Sequence, residues 1–498
     1  MKKLFSLLLA FAMLLSLCAC GGSAGSDSTG NGDTASTGTT AAPQEAAFMA
    51  GFGKANILPP ENGIKMDGYG NETTRLSTGY LSYIYAIAVA VTDTEGNTAI
   101  MMSWDSCDPD ASVTDEVRTW AETEYGIPKA NILISAIHQH STPMATDENY
   151  TPYLLKQMKA AITQALEDRA PAEMYTNKVE TEALNFIRRA WYKDGSLVTA
   201  STGNKSAGFD HYESEADREM RLIKFTREGK EDIIMVNFQC HPHMGTSSSS
   251  TDIHSSWPGV MRDMVTEKLG AHCIYFSGAG ANMNSTSYEA SHMVTSPKDN
   301  FRQHGQRAAQ YVIDAEVGYT QANTGLVLCK EVTNTYDVDH TMDYLYERAA
   351  SLNDIRINES MDAAKEKLKE FPEFTSVWQA SVIVEKHLLP ATKDCTISVI
   401  TFGDVAFSAH PYEMFDTNGM ELRGGTVGNP NYAAEDQLAN PFPMTFVTTI
   451  ANGYNSYIPS LLGFTNGGYE RDQTRYACGT GELLVGDYLH LLNELYAG

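Results

Sequence analysis

Basic residues are scarce in this sequence. Its 498 residues include 36 Lys and Arg against 62 Asp and Glu, which gives a formal net charge of -26 at pH 7. Proteins that bind nucleic acids neutralise phosphates with basic patches, so a chain this acidic is not expected to bind DNA or RNA. Anionic lipid headgroups would repel it as well. Any association with a membrane is therefore expected to depend on a separate anchor.

Several motifs for binding metals and phosphates are also missing. The six cysteines between Cys107 and Cys478 form no Cys-x-x-Cys pair, which argues against a cysteine zinc site and leaves their disulfide pairing open. No His-Glu-x-x-His is present, and the glycines of Gly278-Ala-Gly-Ala281 fit neither a Walker loop nor GxGxxG. Beyond the N-terminus, no apolar run reaches the roughly 18 residues that a membrane span requires.

The N-terminus has the pattern of an export signal. Two lysines precede an apolar stretch from Leu4 to Leu17, and small residues follow. The ending Leu17-Cys-Ala-Cys20 resembles a bacterial lipobox, in which Cys20 would be lipidated. Plain signal cleavage and an uncleaved anchor are the alternatives. The polar residues after Cys20 are too poor in apolar side chains to fold. We therefore predict a lipoprotein signal peptide at 1–19 and a flexible tether at 20–47, with the protein anchored on the extracytoplasmic face of a bacterial membrane.

The remaining sequence, 48–498, alternates strand-like apolar runs with helical patterns. The run from Asn131 to Ile137 indicates a strand, and Tyr153 to Glu167 indicates an amphipathic helix with apolar residues spaced by four. Such alternation favours an α/β fold. We predict one large domain of mixed β-sheets covered by helices, with functional loops at strand ends. The charged stretch from Met342 to Glu370 is predicted as one long helix with a solvated face.

Two His-x-His pairs follow strand-like runs. His138-Gln-His140 comes after the first run, and His241-Pro-His243 follows the run that begins at Ile233. In extended chain, residues two apart point to the same side, so each pair could aim both rings at one point. Imidazole is the commonest neutral metal ligand, and zinc is its usual partner. A third such loop, His410-Pro-Tyr-Glu413, adds a carboxylate. The pattern predicts a metal site at the strand ends, where zinc would activate water for hydrolysis.

Further segments resemble the neutral, non-lysosomal ceramidase family. The start Gly51-Phe-Gly-Lys-Ala-Asn-Ile-Leu-Pro-Pro60 is similar to the family's GxGxADITPP, and Ser135 to Ser141 resembles its SATHTHS motif. Phe238 to Met244 resembles the segment that carries a second zinc histidine. The segments around Glu413, and the tyrosine segments from Tyr454 to Glu470, match in order and spacing. The resemblance spans roughly 48–498 and implies the family's fold and an amide hydrolase activity.

Carried over by position, the resemblance implies a zinc ion bound by His138, His241, Glu413 and Tyr457. It places His140 beside the metal, where this side chain would orient substrate or move a proton. Tyr469 and Arg188 would stabilise the oxyanion that develops during attack on an amide. His243 receives no role.

The chain departs from the family at three points. Ser256, in the segment from His254 to Gly259, stands where the family has an aspartate. Asn284 stands where the ceramidases have a serine, although a shift of one residue would put Ser285 there. Asn284 could bind substrate by hydrogen bonds, but it could not replace a reacting hydroxyl. The family's ceramidases also continue into an immunoglobulin-like C-terminal domain, which is expected to be missing from this chain. Ceramide is therefore one candidate substrate among several.

These features predict a membrane-anchored, zinc-dependent hydrolase of a lipid or small-molecule amide. An esterase or a phosphoesterase would use the same residues, and a two-metal site would favour phosphoesters. A solute-binding lipoprotein without turnover is the alternative from another class. The oligomeric state cannot be read from the sequence.

Overall fold

The computed structural model describes residues 47–70, 74–182, 184–199, 208–285, 300–424 and 438–497. The predicted signal peptide, with Cys20 and all but the last residue of the predicted tether, lies outside these ranges. The described residues belong to one compact unit. Within them, no helix combines the length and the apolar character that crossing a membrane would require.

The strands are numbered in chain order. They are β1 (Met49–Asn56), β2 (Gly79–Tyr80), β3 (Tyr85–Thr92), β4 (Thr98–Trp104), β5 (Ile132–Ala136), β6 (Ala170–Glu180), β7 (Asn185–Ile187), β8 (Arg189–Tyr192), β9 (Leu197–Thr199), β10 (Phe209–Tyr212), β11 (Glu219–Arg227), β12 (Ile233–Phe238), β13 (Asp252–Ile253), β14 (His272–Ser277), β15 (Met283–Ser285), β16 (Thr320–Ala322), β17 (Val327–Asp337), β18 (Thr392–Phe402), β19 (Val405–Ala409), β20 (Glu413–Met414), β21 (Met444–Thr448) and β22 (Tyr457–Ile458).

The α-helices are numbered in the same way. They are α1 (Ala111–Tyr125), α2 (Thr151–Glu167), α3 (Ser256–Leu269), α4 (Asn300–Asp314), α5 (Tyr346–Asn358), α6 (Met361–Leu368), α7 (Val377–Leu388), α8 (Asp416–Leu422), α9 (Leu461–Asn466), α10 (Tyr469–Gln473) and α11 (Thr480–Ala497). Short 3-10 turns span Lys129–Asn131, Ala315–Gly318 and Asp343–Leu345.

Nine strands form the largest sheet. Its order is β14–β12–β11–β6–β1–β3–β4–β5, and β16 pairs with β6 beside this path. The pairs β4–β5 and β12–β14 are parallel, whereas the neighbours between them are antiparallel. Mixed pairing with helices between the parallel strands is an α/β arrangement. The predicted fold class is confirmed.

A second sheet of four strands, β17–β18–β19–β21, packs on one face of the first. One buried cluster takes side chains from both sheets, with Val89 and Phe225 on one side and Phe402, Phe407 and Phe446 on the other. Helices cover the outer faces. The first four helices pack on the large sheet, and α11 packs on the small one. The loops at the strand ends of this sandwich carry the predicted site.

Close packing of α2 explains the glycines at the start of the domain. Gly51 and Gly53 lie on β1, and a Cβ atom on either would collide with the helix backbone at Ala165 O or Ala161 O. The sequence GxG therefore lets a helix rest directly on the sheet. The alternation on β3 fits the same picture, because its alanines face the helices while its larger side chains face the second sheet.

The predicted long helix from Met342 to Glu370 is wrong. The structure divides this stretch into α5 and α6, and the chain turns at Glu359 and Ser360. The Ser360 hydroxyl accepts a hydrogen bond from Ala363 N at 3.0 Å, which caps the new helix. With α7, these helices enclose an apolar cluster of their own around Leu352 and Phe371. The charged residues on the exposed faces of these helices give no sign of this break in the sequence.

We expect Gly53→Ala to lower the free energy of unfolding by about 1–3 kcal/mol, because the added methyl group overlaps the α2 backbone. Urea denaturation followed by circular dichroism measures the loss. Gly63→Ala is the control, because an added Cβ meets nothing there and only the positive φ of +87° opposes it. A loss in Gly53→Ala no larger than that of the control would show that α2 moves away freely.

Candidate active site

The first histidine pair leaves the end of β5 in a turn rather than in extended chain. His138 has φ of +66°, the left-handed region that side chains with a Cβ rarely adopt. This turn brings the two rings together, and His138 Nε2 lies 3.2 Å from His140 Nε2. The two rings do lie together, as predicted, but the extended backbone from which we predicted this is wrong.

The loop that follows β4 contacts His138 at Nδ1. This nitrogen lies 3.2 Å from the carbonyl oxygen of Cys107. The same nitrogen lies 3.2 Å from Asp108 Oδ1. Two acceptors on one side place a ring proton on Nδ1 and direct Nε2 toward the cavity. Histidines that bind metals are usually oriented by such a contact on the other nitrogen.

His241 joins the first pair from the end of β12. Its Nε2 lies 3.2 Å from His140 Nε2, and its ring centre is 4.5 Å from that of His138. The ring centre of His243 lies 4.9 Å from that of His241 and 6.0 Å from that of His140, with Nδ1 3.4 Å from the carbonyl oxygen of His241. Of the four histidines in the two His-x-His pairs, the structure therefore brings together three, His138, His140 and His241, through their Nε2 atoms. His243 lies at the edge of this group.

Glu413 completes the cluster. It begins β20, where its backbone pairs in parallel with Tyr457 on β22. The side chain is buried, and Oε1 accepts a hydrogen bond from the Tyr454 hydroxyl at 2.8 Å. The other oxygen, Oε2, lies 3.3 Å from His138 Nε2 and receives no hydrogen bond from the described residues. A buried carboxylate oxygen without a donor needs a cation nearby.

The spacing of these atoms suits a zinc ion. Bonds of about 2.0–2.1 Å in a tetrahedral site put neighbouring ligand atoms about 3.3 Å apart. Among the proposed ligands, His138 Nε2 and Glu413 Oε2 lie 3.3 Å apart. Ligand atoms of His138, His241 and Glu413 all lie within 4.8 Å of one another. The residues present therefore fit the metal that the sequence predicts.

The pKa values of the histidines in this cluster also favour a bound cation. Burial lowers the pKa of His138, but the adjacent carboxylate of Glu413 and then that of Asp108 outweigh it and raise this pKa to about 10. Burial, followed by the charge on His138, holds the pKa values of His140 and His241 well below the usual range. These two rings are thus neutral and present lone pairs. His241 thus offers a neutral nitrogen beside Glu413, and a metal ion bound here would displace the proton that Glu413 and Asp108 hold on His138.

Arg188 reaches the same place through a buried ion-pair network. Its Nε donates to Glu470 Oε1 at 2.8 Å, and its Nη2 donates to the Tyr457 hydroxyl at 3.3 Å. Arg189 binds the other oxygen of Glu470 at 2.6 Å and also pairs with Glu213. Two cations and two anions balance within this network, so Arg188 is fixed without an excess of buried charge.

A cavity of about 870 Å³ opens above the cluster. Tyr469 lies at its side, 42% exposed, with its ring 5.6 Å from that of Tyr457. The guanidinium carbon of Arg188 lies 5.8 Å from the centre of the Tyr469 ring. Of the predicted site residues, the cavity is lined by His138, His140, Arg188, His241, Glu413, Tyr457 and Tyr469.

Asn284 is the exception. It lies buried on β15, where its backbone pairs with Phe186 and bridges to His241. It is not among the described residues that line the cavity. Ser285, the alternative, donates its hydroxyl to the carbonyl oxygen of His241 at 2.7 Å and so supports that loop. The predicted contact of Asn284 with substrate gains no support from this geometry.

Three residues that hold the site have no role predicted from the sequence. Asp108 follows β4, and the same rule of polar residues at strand ends would have indicated it. Tyr454 and Glu470 lie inside segments that matched the family, but a sequence match does not show which side chains contact each other. Which carboxylate pairs with Arg188 depends on the contact between α10 and the residue that joins β7 to β8, which are far apart in the chain. No local pattern carries that information.

The fold and the site define a class: an α/β sandwich whose loops build a centre suited to hydrolysis with a metal ion. The family comparison then supplies the particular relationship. Residues 48–256 match the family described as neutral/alkaline non-lysosomal ceramidase, N-terminal, which confirms the resemblance seen in the sequence. The match supports a ceramidase-like amide hydrolase.

Solved structures show the same fold. Neutral ceramidase from Pseudomonas aeruginosa is 15% identical, with a TM-score of 0.66, and the match covers 91% of this chain and 75% of that chain. A structure described as ceramidase complexed with C2 is also 15% identical, with a TM-score of 0.67 and coverage of 91% and 76%. No curated protein matches the sequence.

We expect Glu470→Gln to lower the free energy of unfolding by about 3 kcal/mol or more, because it leaves buried arginines without a shared carboxylate. It should also reduce kcat, since Arg188 loses the partner that orients it. Thermal unfolding and steady-state kinetics measure the two effects.

Glu213→Gln is the matched control for this variant. Glu213 pairs with Arg189 but does not contact Arg188, so this substitution should affect stability alone. Equal losses of kcat in the two variants would contradict a specific role for Glu470 in positioning Arg188.

Proposed function

We propose that this protein is a zinc-dependent hydrolase that cleaves the amide bond of an N-acyl lipid or another small amide. The observation that carries the proposal is the meeting of His138, His241 and Glu413 on the floor of a cavity. A ceramidase-like match over residues 48–256 supports amide cleavage.

His138, His241 and Glu413 would hold the zinc ion, with Tyr457 as the predicted fourth ligand. Zinc in such a site supplies Lewis acidity, which polarises a carbonyl group and activates water. Tyr454 fixes Glu413, and Asp108 with the Cys107 carbonyl fixes His138, so both ligands are held before the metal arrives.

His140 is proposed to move a proton at Nε2. Its Nδ1 is buried and has no hydrogen-bond partner among the described residues, in contrast to the anchored Nδ1 of His138. A ring without that anchor is poorly suited to be a fixed ligand. Burial keeps it neutral, so its Nε2 is ready to accept a proton from the attacking water and pass it to the leaving amine.

Arg188 and Tyr469 would stabilise the negative charge that develops on the amide oxygen. Arg188 remains charged, because Tyr457 and Glu470 outweigh burial and raise the pKa of its guanidinium. The Tyr469 hydroxyl approaches from the exposed side of the cavity. Removing one such donor commonly lowers kcat by about 10²–10³-fold.

Zinc content and amide hydrolysis should separate the metal ligands from the proton carrier. His138→Ala and Glu413→Ala should lose both zinc and activity. His140→Ala should keep zinc while hydrolysis falls by roughly 10²–10⁴-fold, because proton transfer is lost. Elemental analysis gives the metal content, and release of fatty acid from ceramide and other N-acyl amides gives the activity.

His211→Ala is the control, because its side chain is exposed and lies outside the cavity lining. Loss of zinc in His140→Ala would place His140 among the ligands. Wild-type protein that carries no zinc and keeps its activity after chelation would contradict the proposal. Cleavage of esters or phosphoesters in place of amides would retain the site but change the reaction.

The protein is further proposed to be held on the extracytoplasmic face of the membrane by a lipid on Cys20. The support is the sequence alone, namely the charged start, the apolar run and the lipobox-like ending. We expect Cys20→Ala to abolish incorporation of labelled fatty acid and to release the protein from the membrane fraction. Cys18→Ala, two residues earlier, should change neither. Membrane retention in Cys20→Ala would indicate an uncleaved anchor instead.

A further inference from the structure

The mouth of the cavity is built by a part of the chain with no predicted role. Helices α5 and α7 pack together and line the cavity opposite the histidines, with Arg356, Trp378 and Leu388 among the lining residues. They belong to the helical cluster that has its own apolar core. We propose that Arg356 is a specificity-determining residue that binds a carboxylate carried by the amide substrate. This inference rests on the proposed amide hydrolysis.

Arg356 is held in a defined plane. Its Nε donates to Asn353 Oδ1 at 3.0 Å, and this oxygen also accepts from the Ser381 hydroxyl at 2.8 Å. The guanidinium carbon lies 5.1 Å from the centre of the Trp378 ring. Stacking on an indole and one hydrogen bond through Nε leave the two terminal nitrogens to bind a ligand.

Charge compensation sets Arg356 apart from the other arginines of the cavity. Arg188 pairs with Glu470, and Arg475 donates from Nε to Glu385 at 3.0 Å. Arg356 has no carboxylate partner among the described residues. A guanidinium fork presented to a cavity binds a carboxylate through two parallel hydrogen bonds. Because the net charge of the chain is -26, its overall field repels anions, and recognition of one requires such a local group.

The loop Asp67–Gly70 connects this arginine to the reacting centre. A Cβ on Gly68 would lie 2.8 Å from His140 Cβ, and a Cβ on Gly70 would collide with the Trp378 ring. His140 and Trp378 therefore rest against the same short segment, two residues apart. A small amide bound at the histidines has the Trp378–Arg356 stack as its neighbouring wall, which is close enough for one substrate to contact both.

The experiment compares substrates that differ in one charge. N-lauroylglycine is paired with N-lauroylglycinamide, which puts the charge on the amine side. The monoamide of a long dicarboxylic acid is paired with its diamide, which puts the charge on the acyl side. We expect the wild-type protein to favour the carboxylate in one pair by roughly 10–100-fold in kcat/KM, as befits hydrogen bonds between charged groups. The pair that responds identifies the end of the substrate that Arg356 binds.

Variants of Arg356 then test the assignment. The preference should fall toward one in Arg356→Gln, mainly through KM, and only partly return in Arg356→Lys, which keeps the charge but loses the fork. Arg356→Glu should reverse the preference. Arg348→Gln is the matched control on the same helix, because Arg348 is exposed and pairs with Glu373 away from the cavity.

The failures of the two proposals are distinguishable. Hydrolysis of all four substrates without any preference for the charged member of either pair would overturn the role of Arg356 and leave amide hydrolysis standing. A loss of stability in Arg356→Gln with an unchanged substrate preference would also overturn it, since Arg356 would then only cover Trp378. No hydrolysis of any of these amides, or of ceramide, would instead contradict the proposed function.

Discussion

The contact between Glu413 and His138 is the constraint on which the rest of this site depends. A fully buried carboxylate is costly unless charge and hydrogen bonds compensate it. Here Oε1 receives the Tyr454 hydroxyl, while Oε2 faces His138 at 3.3 Å. His138 follows β5 at the edge of the large sheet, and Glu413 lies in the segment that follows β19 of the four-stranded sheet. The core that these sheets share must therefore hold the two loops in contact, because the buried charge of Glu413 is otherwise too costly. The site thus depends on the packing of the sandwich.

Backbone strain lies around the same point. His138, Ile450, Asn452 and Ser456 all have positive φ, although none is a glycine. Asn452 bonds to Ile134 of β5 through its backbone N–H, and its Oδ1 accepts from the Ile134 N–H. Ser456 O accepts from Glu413 N. Conformations of this kind persist only where the surroundings fix them. The segment from Ile450 to Ser456, which is fixed by the packed core, thus holds Glu413 and His138 in position.

The parts of the site that could be predicted are those with a local signature. Histidines and a carboxylate directly after apolar runs identified His138, His241 and Glu413, because strand ends in α/β folds collect functional loops. The left-handed turn at His138 had no such signature, since its φ is imposed by tertiary contacts. Glu470 could not be assigned to Arg188 from spacing. The helix predicted from Met342 to Glu370 had the correct type but missed the break at Ser360, because serine also occurs on solvated helix faces.

The fold separates the reacting centre from the surface that meets the rest of a substrate. The histidines, Glu413 and Arg188 belong to the sandwich and its loops, which share their fold with ceramidases at 15% identity. Trp378 and Arg356 belong to helices whose apolar cluster is distinct from the sandwich core. Substitutions at Arg356 and Trp378 can therefore alter the cavity mouth without removing a described partner of Arg188 or Glu413. The loop from Asp67 to Gly70 contacts both parts, and its glycines allow a close approach. Helix α10, which carries Glu470, also joins them, because Gln379 Nε2 on α7 donates to Asp472 Oδ1 at 2.8 Å. The proposed selection of substrate and the proposed hydrolysis would thus depend on two separate apolar cores.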